Sequence, residues 1–347
     1  MQELSLIQKH TREIYDLDSK SYSIENVNAR TLLTGKRFDL FAKLYYLTHY
    51  KENKEHALCV YIEHIKAFNP DGKEPGRDDK LSFDDFVSVF NNLIESFKDK
   101  DFDKSVSLVP VDSNGVILDG AHRVAILAYY NKEITIARFK DVTSKANFDY
   151  QYFKMRGLSW VTLDEIALEM MYWLSNVHVM CIWPTLNENQ KTLARNLIEN
   201  NQQVVYRKKI RVTYNALTAF VKQIYQEQEW THSIEAVKDK ALRCYGKGHT
   251  LEFIFFTFEE DLNKLISFKD DLRSNFGRGK DSLHITDNVK ETQEIAELVL
   301  NDIALSQWNK AESNSLKKIE NSIKERIYYF KNITLLDLKT KIAKLLR

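Results

Sequence analysis

Residues 116–126 constrain the fold more than any other stretch of the chain. Val116, Ile117 and Leu118 read as the end of an apolar strand, Asp119 and Gly120 as a tight turn, and Ala121 as the start of a helix that continues through Val124, Ala125 and Ile126. A strand that turns so sharply into a helix fixes the helix N-terminus beside the strand's end. There the first backbone N–H groups lack intrahelical partners and the helix dipole is positive, which suits an anion. Gly120 allows close backbone approach. Arg123 can fork onto phosphate oxygens, and His122 can donate a hydrogen bond or move a proton. An ordinary corner with solvated charges would carry the same residue types.

The flanking sequence gives this corner a setting. Ser82 is a good N-cap, with Asp84 and Asp85 in the first turn, for a helix whose apolar face runs through Phe83, Phe86, Phe90, Leu93 and Phe97. A strand over 106–111, a hairpin turn over 112–115, the returning strand over 116–118, a helix over 121–130 and a strand over 134–139 complete a compact α+β module. Upstream, residues 1–30 read as a short helix and a loop. A helix over 55–68 places Tyr61, Ile62, Ile65 and Phe68 on one face and leaves Glu63, His64 and Lys66 off it. The polar loop 73–80 can cover a site.

Downstream the pattern changes. Residues 145–175 read as helical, with Leu163, Ile166, Met170 and Leu174 on a packing stripe, and the boundary is expected near Ser175 and Asn176. Strands over 177–183, 203–212, 251–258 and 282–286 then alternate with helices over 188–200, 215–230, 259–275 and 292–308, which implies an α/β layer with one mostly buried sheet. Residues 312–347 read as a basic amphipathic helix, either a peripheral helix of the same domain or a dock for a partner or a second copy. The expected organisation is a helical segment 1–54, the module 55–145, a helical connector 146–176, an α/β domain 177–311 and the C-terminal helix 312–347.

Charge and cysteine content narrow the function. In 347 residues, 50 Lys and Arg balance 49 Asp and Glu for a net charge of +1. Nothing draws the whole surface to nucleic acid or an anionic membrane, so any anion site must be local. Cys59, Cys181 and Cys244 are far apart in sequence and form no CxxC pair, which argues against a disulfide framework or a zinc site and fits a reducing cytoplasm. No apolar run is long enough to span a membrane.

The turn at Asp119, Gly120, Ala121, His122 and Arg123, with the hairpin before it and the strand after it, resembles the ParB/sulfiredoxin-like superfamily, over about residues 55–140. The resemblance implies a phosphate grip at the helix start. Sulfiredoxins carry a reactive cysteine where this chain has Ala121, so thiol chemistry is not expected. CTP-binding partition proteins carry a Glu-Arg-Arg-like version and a helix-turn-helix, where this chain has His122 and an α/β pattern. The free-serine-kinase branch has the closer turn. It implies that Gly120, Ala121, His122 and Arg123 hold phosphate, that Asp119 positions a metal or hydroxyl, and that a glutamate upstream is the general base. Glu63 is the candidate, although a solvated helix charge reads the same way.

Two further groups carry chemistry. Arg37, Asp39 and Lys43 lie beside an apolar helix face and can reach the same pocket, although charges at an ordinary helix start read the same way. Residues 276–287 form a glycine-bearing basic loop in which Arg278 and Lys280 can hold phosphate while His284 and Asp287 act on a hydroxyl or metal. The loop lacks Walker A spacing, and its phrase resembles segments of bacterial surface-polysaccharide biosynthesis proteins. The expectation is a phosphotransferase using ATP or another nucleotide, ADP or CTP included, with Mg²⁺, acting on a hydroxyl of an amino acid, polyol or sugar for capsule or lipopolysaccharide. The alternatives are a ParB-like nucleotide-binding regulator or nuclease, and a non-catalytic scaffold.

Overall fold

The computed structural model describes residues 3–310 except 146, 247 and 260. The C-terminal helix expected over 312–347 lies outside the described residues. The first half contains α1 (Lys9–Tyr15), β1 (Tyr22–Asn28), α2 (Phe38–His49), α3 (Lys54–Phe68), α4 (Phe83–Lys98), β2 (Val109–Val111), α5 (Ala121–Tyr129), β3 (Glu133–Phe139), α6 (Tyr150–Met155) and α7 (Trp160–Trp173). The second contains β4 (Val177–Ile182), α8 (Glu188–Asn201), β5 (Val204–Arg211), α9 (Tyr214–Ile224), α10 (Ile234–Tyr245), β6 (Thr250–Thr257), α11 (Leu262–Ser274), β7 (Leu283–Ile285), α12 (Val289–Leu300) and α13 (Asp302–Trp308). The fold is α+β.

The first sheet has the order β1-β3-β2, with β1 antiparallel and β2 parallel to β3. Strand β1 was not expected over 1–30. It is an edge strand whose side chains are mostly half-buried, and its apolar Ile24 and Val27 are three residues apart, on opposite faces, so no period-two apolar pattern marks it. Residues 116–118 do not form the expected strand. Ile117 makes one bridge to Val111, and its carbonyl instead accepts from Arg37 Nη1 at 2.5 Å, so it serves a buried cation rather than a ladder. The hairpin itself stands. Asp112 Oδ1 accepts from the N–H groups of Asn114 and Val116, and Oδ2 from that of Ser144.

Helix α2 is buried from Phe38 to Leu47, as a helix apolar on all sides must be. It packs on α3, α5 and α7, and Asp39 and Lys43 go inside with it. Its neighbours are held by side-chain caps: Asn53 for α3, Ser82 for α4 and Ser159 for α7.

The second sheet has the order β5-β6-β4-β7 with every pairing antiparallel. The parallel sheet that strand–helix alternation implies is therefore split: β4 and β5 run parallel with β6 antiparallel between them, and β6 and β7 run parallel with β4 between them. Alternation along β4 sends Met180 and Ile182 toward α8 and α11, and Val179 and Cys181 toward the larger core shared with α7, α9, α10 and α12. That core is continuous across the junction at Ser175 and Asn176. Phe38 of α2 shows how closely the halves are joined: its ring lies 6.0 Å from Phe153 and stacks at 6.3 Å on Tyr206 of β5. Truncating it to alanine would cost about 3–5 kcal/mol.

Candidate functional site

A cavity of about 1040 Å³ opens between α1, α3, α4, the start of α5 and the loop 73–80. Its floor is the corner expected from the sequence. Gly120 has φ +88°, and a Cβ there would stand 2.9 Å from Val109 Cγ2 and 3.0 Å from Arg123 Nη2. Glycine is needed both for the left-handed turn and because the guanidinium lies over it. No side chain caps α5, so its first N–H groups face the cavity without a protein acceptor. Asp119 Oδ1 accepts from Gly120 N at 2.6 Å, and Oδ2 is buried without a hydrogen bond, 3.5 Å from Arg123 Nη2.

Arg37, Asp39 and Lys43 do reach this cavity. Arg37 grips Asp39 through Nε at 2.8 Å and Nη2 at 2.9 Å, and Lys43 Nζ lies 3.1 Å from both the Asp39 carbonyl and its Oδ2. Burial raises the Asp39 pKa, but the Arg37 and Lys43 charges outweigh it and hold the carboxyl far below the usual carboxylate range. Two cations thus share one carboxylate in a buried setting.

Two of the histidines lining the cavity, His64 and His122, are neutral at neutral pH. Burial first, then Lys80 and Lys43, hold the His122 pKa well below the ordinary imidazole value. His122 Nε2 is 2.8 Å from Tyr61 Oη, and its ring meets Phe90 edge-on at 4.8 Å. His64, expected off the apolar face of α3, is 1% exposed, and neither ring nitrogen has a hydrogen-bond partner among the described residues. Its pKa is lowered by burial and then by Lys43.

Loop 73–80 supplies groups that the sequence did not single out. Glu74 and Lys80 form an ion pair at the cavity wall, and Glu74 N donates to Lys80 O at 3.1 Å, closing the loop on itself. Lys80 lies 5.1 Å from the Phe86 ring centre. Arg77 also lines the cavity and pairs with Asp79 at 2.7 and 2.5 Å. The alternating charges around Pro75 and Gly76 were the available signal for these residues.

Glu63 is elsewhere. Its carboxylate accepts from Thr162 Oγ1, and from Ser159 Oγ at 3.4 Å, at the N-terminus of α7, and it does not line the cavity. The structure therefore replaces Glu63 with Glu74 as the upstream carboxylate beside the turn.

The loop 276–287 is a separate place. Gly277 and Gly279 have positive φ, but a Cβ at either would meet nothing within 4 Å, so no close approach requires them. Arg278 and Lys280 are exposed. His284 is buried between Tyr225 Oη at 3.1 Å from Nδ1 and Glu291 Oε1 at 3.0 Å from Nε2, and Asp287 pairs with Lys269. None of these residues lines the cavity.

Among the described residues no group of three or more His, Cys, Asp or Glu is placed to hold a metal. Asp119 Oδ2, buried without a hydrogen bond, is the side-chain oxygen at the turn that could meet a magnesium ion taking its other ligands from phosphate and water. No helix among the described residues is long and apolar enough to cross a membrane. No family model, curated protein or solved structure matches the chain.

Proposed function

We propose that the protein is a nucleotide-dependent phosphotransferase acting on a hydroxyl of a small polar metabolite: an amino acid, a polyol or a sugar. The observation that carries this reading is the convergence, on one cavity, of an uncapped helix N-terminus, Arg123 over Gly120, and buried polar atoms without partners on His64 and Asp119. Buried polar groups are normally satisfied, so such a set awaits a ligand with matching groups. The resemblance of the turn to the ParB/sulfiredoxin-like superfamily adds support, and its kinase branch fits the paired acid and phosphate grip.

In this reading the α5 N–H groups and Arg123 hold the transferred phosphoryl group, and Lys43 and Lys80 add positive charge around it. Glu74 takes the acceptor's hydroxyl proton. The acceptor oxygen then forms the new bond to phosphorus, the bond to the bridging oxygen breaks, and the shortened nucleotide leaves with that electron pair. His64 offers one donor and one acceptor to the acceptor molecule. Magnesium bound with the phosphates would neutralise their charge, and Asp119 is the side chain to meet it. Catalysis rests on positioning and charge.

The test is ³¹P NMR of the full-length chain with ATP, ADP or CTP, Mg²⁺ and a panel of hydroxylated metabolites. A new phosphomonoester signal is expected with wild type and none with Arg123→Ala. No transfer from any nucleotide to any acceptor would overturn the proposal.

A further inference from the structure

The cavity is larger than a phosphate grip needs, and one of its walls is aromatic. Helix α4 crosses it with Phe86, Phe90, Leu93 and Phe97 on one face. The Phe86 and Phe90 end stands against Lys80 and His122. Phe97 is two turns further on, about 10 Å beyond Phe90 at 1.5 Å per residue. There it pairs with Phe102: the ring planes are 11° from parallel with centroids 6.4 Å apart, both rings are half-buried, and both line the same cavity. Lys132 holds the chain on each side of the turn between them, its Nζ donating to the Phe97 carbonyl at 3.1 Å and the Lys100 carbonyl at 2.8 Å. The rings are thus set on a braced backbone in the same cavity as Arg123, Lys43 and Lys80, two turns along α4 from Phe90.

We infer that Phe97 and Phe102 form the nucleobase platform of this cavity, so that its phosphate-bearing ligand is a nucleoside di- or triphosphate rather than inorganic phosphate or a sugar phosphate. The inference rests on the phosphate reading of the Gly120–Arg123 turn and adds the base to it. Every base presents a flat π-face that stacks on an aromatic ring at little cost in ordering. The separation between Phe97 and the His122 end of α4 leaves room for a ribose and the phosphate chain. The platform is built from phenylalanine rings, so it grips the base by stacking and leaves the choice among bases to other groups.

The experiment is calorimetric titration of the full-length protein with ADP and, separately, with inorganic pyrophosphate, both with Mg²⁺. ADP is expected to bind about 5- to 100-fold more tightly than pyrophosphate, the range of one stacked base. Phe97→Leu and Phe102→Leu, which keep apolar bulk, should each remove most of that advantage and leave pyrophosphate binding unchanged. Phe102→Tyr, which keeps the ring, should retain it. Equal affinity for ADP and pyrophosphate, or leucine variants that bind ADP like wild type, would overturn the platform while leaving the phosphate grip intact. Failure of both ligands to bind would overturn the phosphate reading and the platform together.

Discussion

The turn at 119–123 and the loop at 276–287 look alike as sequence and differ as structure. Each places glycine, Lys or Arg, a histidine and aspartate within a dozen positions. At the turn, Gly120 is pressed by Arg123 and Val109, the helix start is uncapped, and His64 and Asp119 keep buried atoms without partners. At the loop, Arg278 and Lys280 face solvent, Asp287 is paired, and His284 sits between Tyr225 and Glu291 with its Nε2 buried and without a hydrogen bond but away from the cavity. Solvated or satisfied groups have little to gain from a ligand. Buried, unsatisfied ones have a desolvation cost that a ligand can relieve. Convergence separates the two places: at the turn the incomplete groups, the uncapped helix start and Arg123 line one cavity, and no residue of the loop does.

The comparison can be broken most directly at its arginines. Arg123→Ala should lower phosphoryl transfer by about 10³-fold or more, the scale of an arginine acting on transferring phosphate. Arg278→Ala and Lys280→Ala, at exposed positions, should leave the rate unchanged. Steady-state kinetics on the three variants decides it. Equal losses at both places would erase the distinction.

The carboxylates come next. Glu74→Gln should lower kcat by about 10²- to 10⁴-fold, as loss of a general base does, while nucleotide KM stays near wild type. Glu63→Gln should leave kcat intact, because Glu63 serves the N-terminus of α7. A kcat loss at Glu63 with none at Glu74 would return the general-base role to the residue the sequence pointed to.

Glycine substitutions compare the two backbones. Gly120→Ala should destabilise the protein by about 2–3 kcal/mol, since left-handed strain adds to the contacts with Val109 and Arg123. Gly277→Ala meets no neighbour within 4 Å and should cost about 1–2 kcal/mol from φ alone. Urea denaturation of both variants measures the difference, and equal costs would mean that the guanidinium does not press on Gly120.

What could be read from the sequence follows the same physics. The turn and the helix after it were legible because Asp119, Gly120 and the apolar run after Arg123 are local signals, whereas the strand expected over 116–118 is reduced to one bridge; the arrival of Arg37, Asp39 and Lys43 at the pocket was one of two readings of those charges. Strand β1 was not, because an edge strand with half-buried residues has a faint apolar pattern. His64 was misplaced because helical periodicity shows one apolar face, whereas α3 buries His64 together with Tyr61 and Ile65. Glu74 was missed because it lies in a loop, where no period ties a residue to a face. The antiparallel order of the second sheet depends on which strands pair across long connections, and the alternation of strands and helices does not encode that.

The histidines give the smallest effects and a separate check. His64 has no partner to leave behind, so His64→Leu should be neutral or stabilising at about pH 7, where an unpaired polar group is exchanged for an apolar one. His284→Leu would strip Tyr225 and Glu291 of a partner and should cost about 1–3 kcal/mol. The pH dependence sharpens the contrast. His64 and His122 have folded-state pKa values below their unfolded ones. Below about pH 6.5 the unfolded chain therefore binds more protons than the folded one, and stability falls as pH falls. Each histidine contributes a slope of at most about 1.4 kcal/mol per pH unit, fully restored above that point. His64→Leu should remove one of the two contributions, reducing the loss of stability between about pH 6.5 and pH 5. The Asp39 carboxyl, also depressed, acts in a lower window, below about pH 4. Urea midpoints at pH 7, 6 and 5 for wild type and His64→Leu stay above the Asp39 window and read the histidine one alone. An unchanged slope in the variant would mean that His64 is already solvated or paired, and of the two unsatisfied groups cited for the cavity only Asp119 Oδ2 would be left.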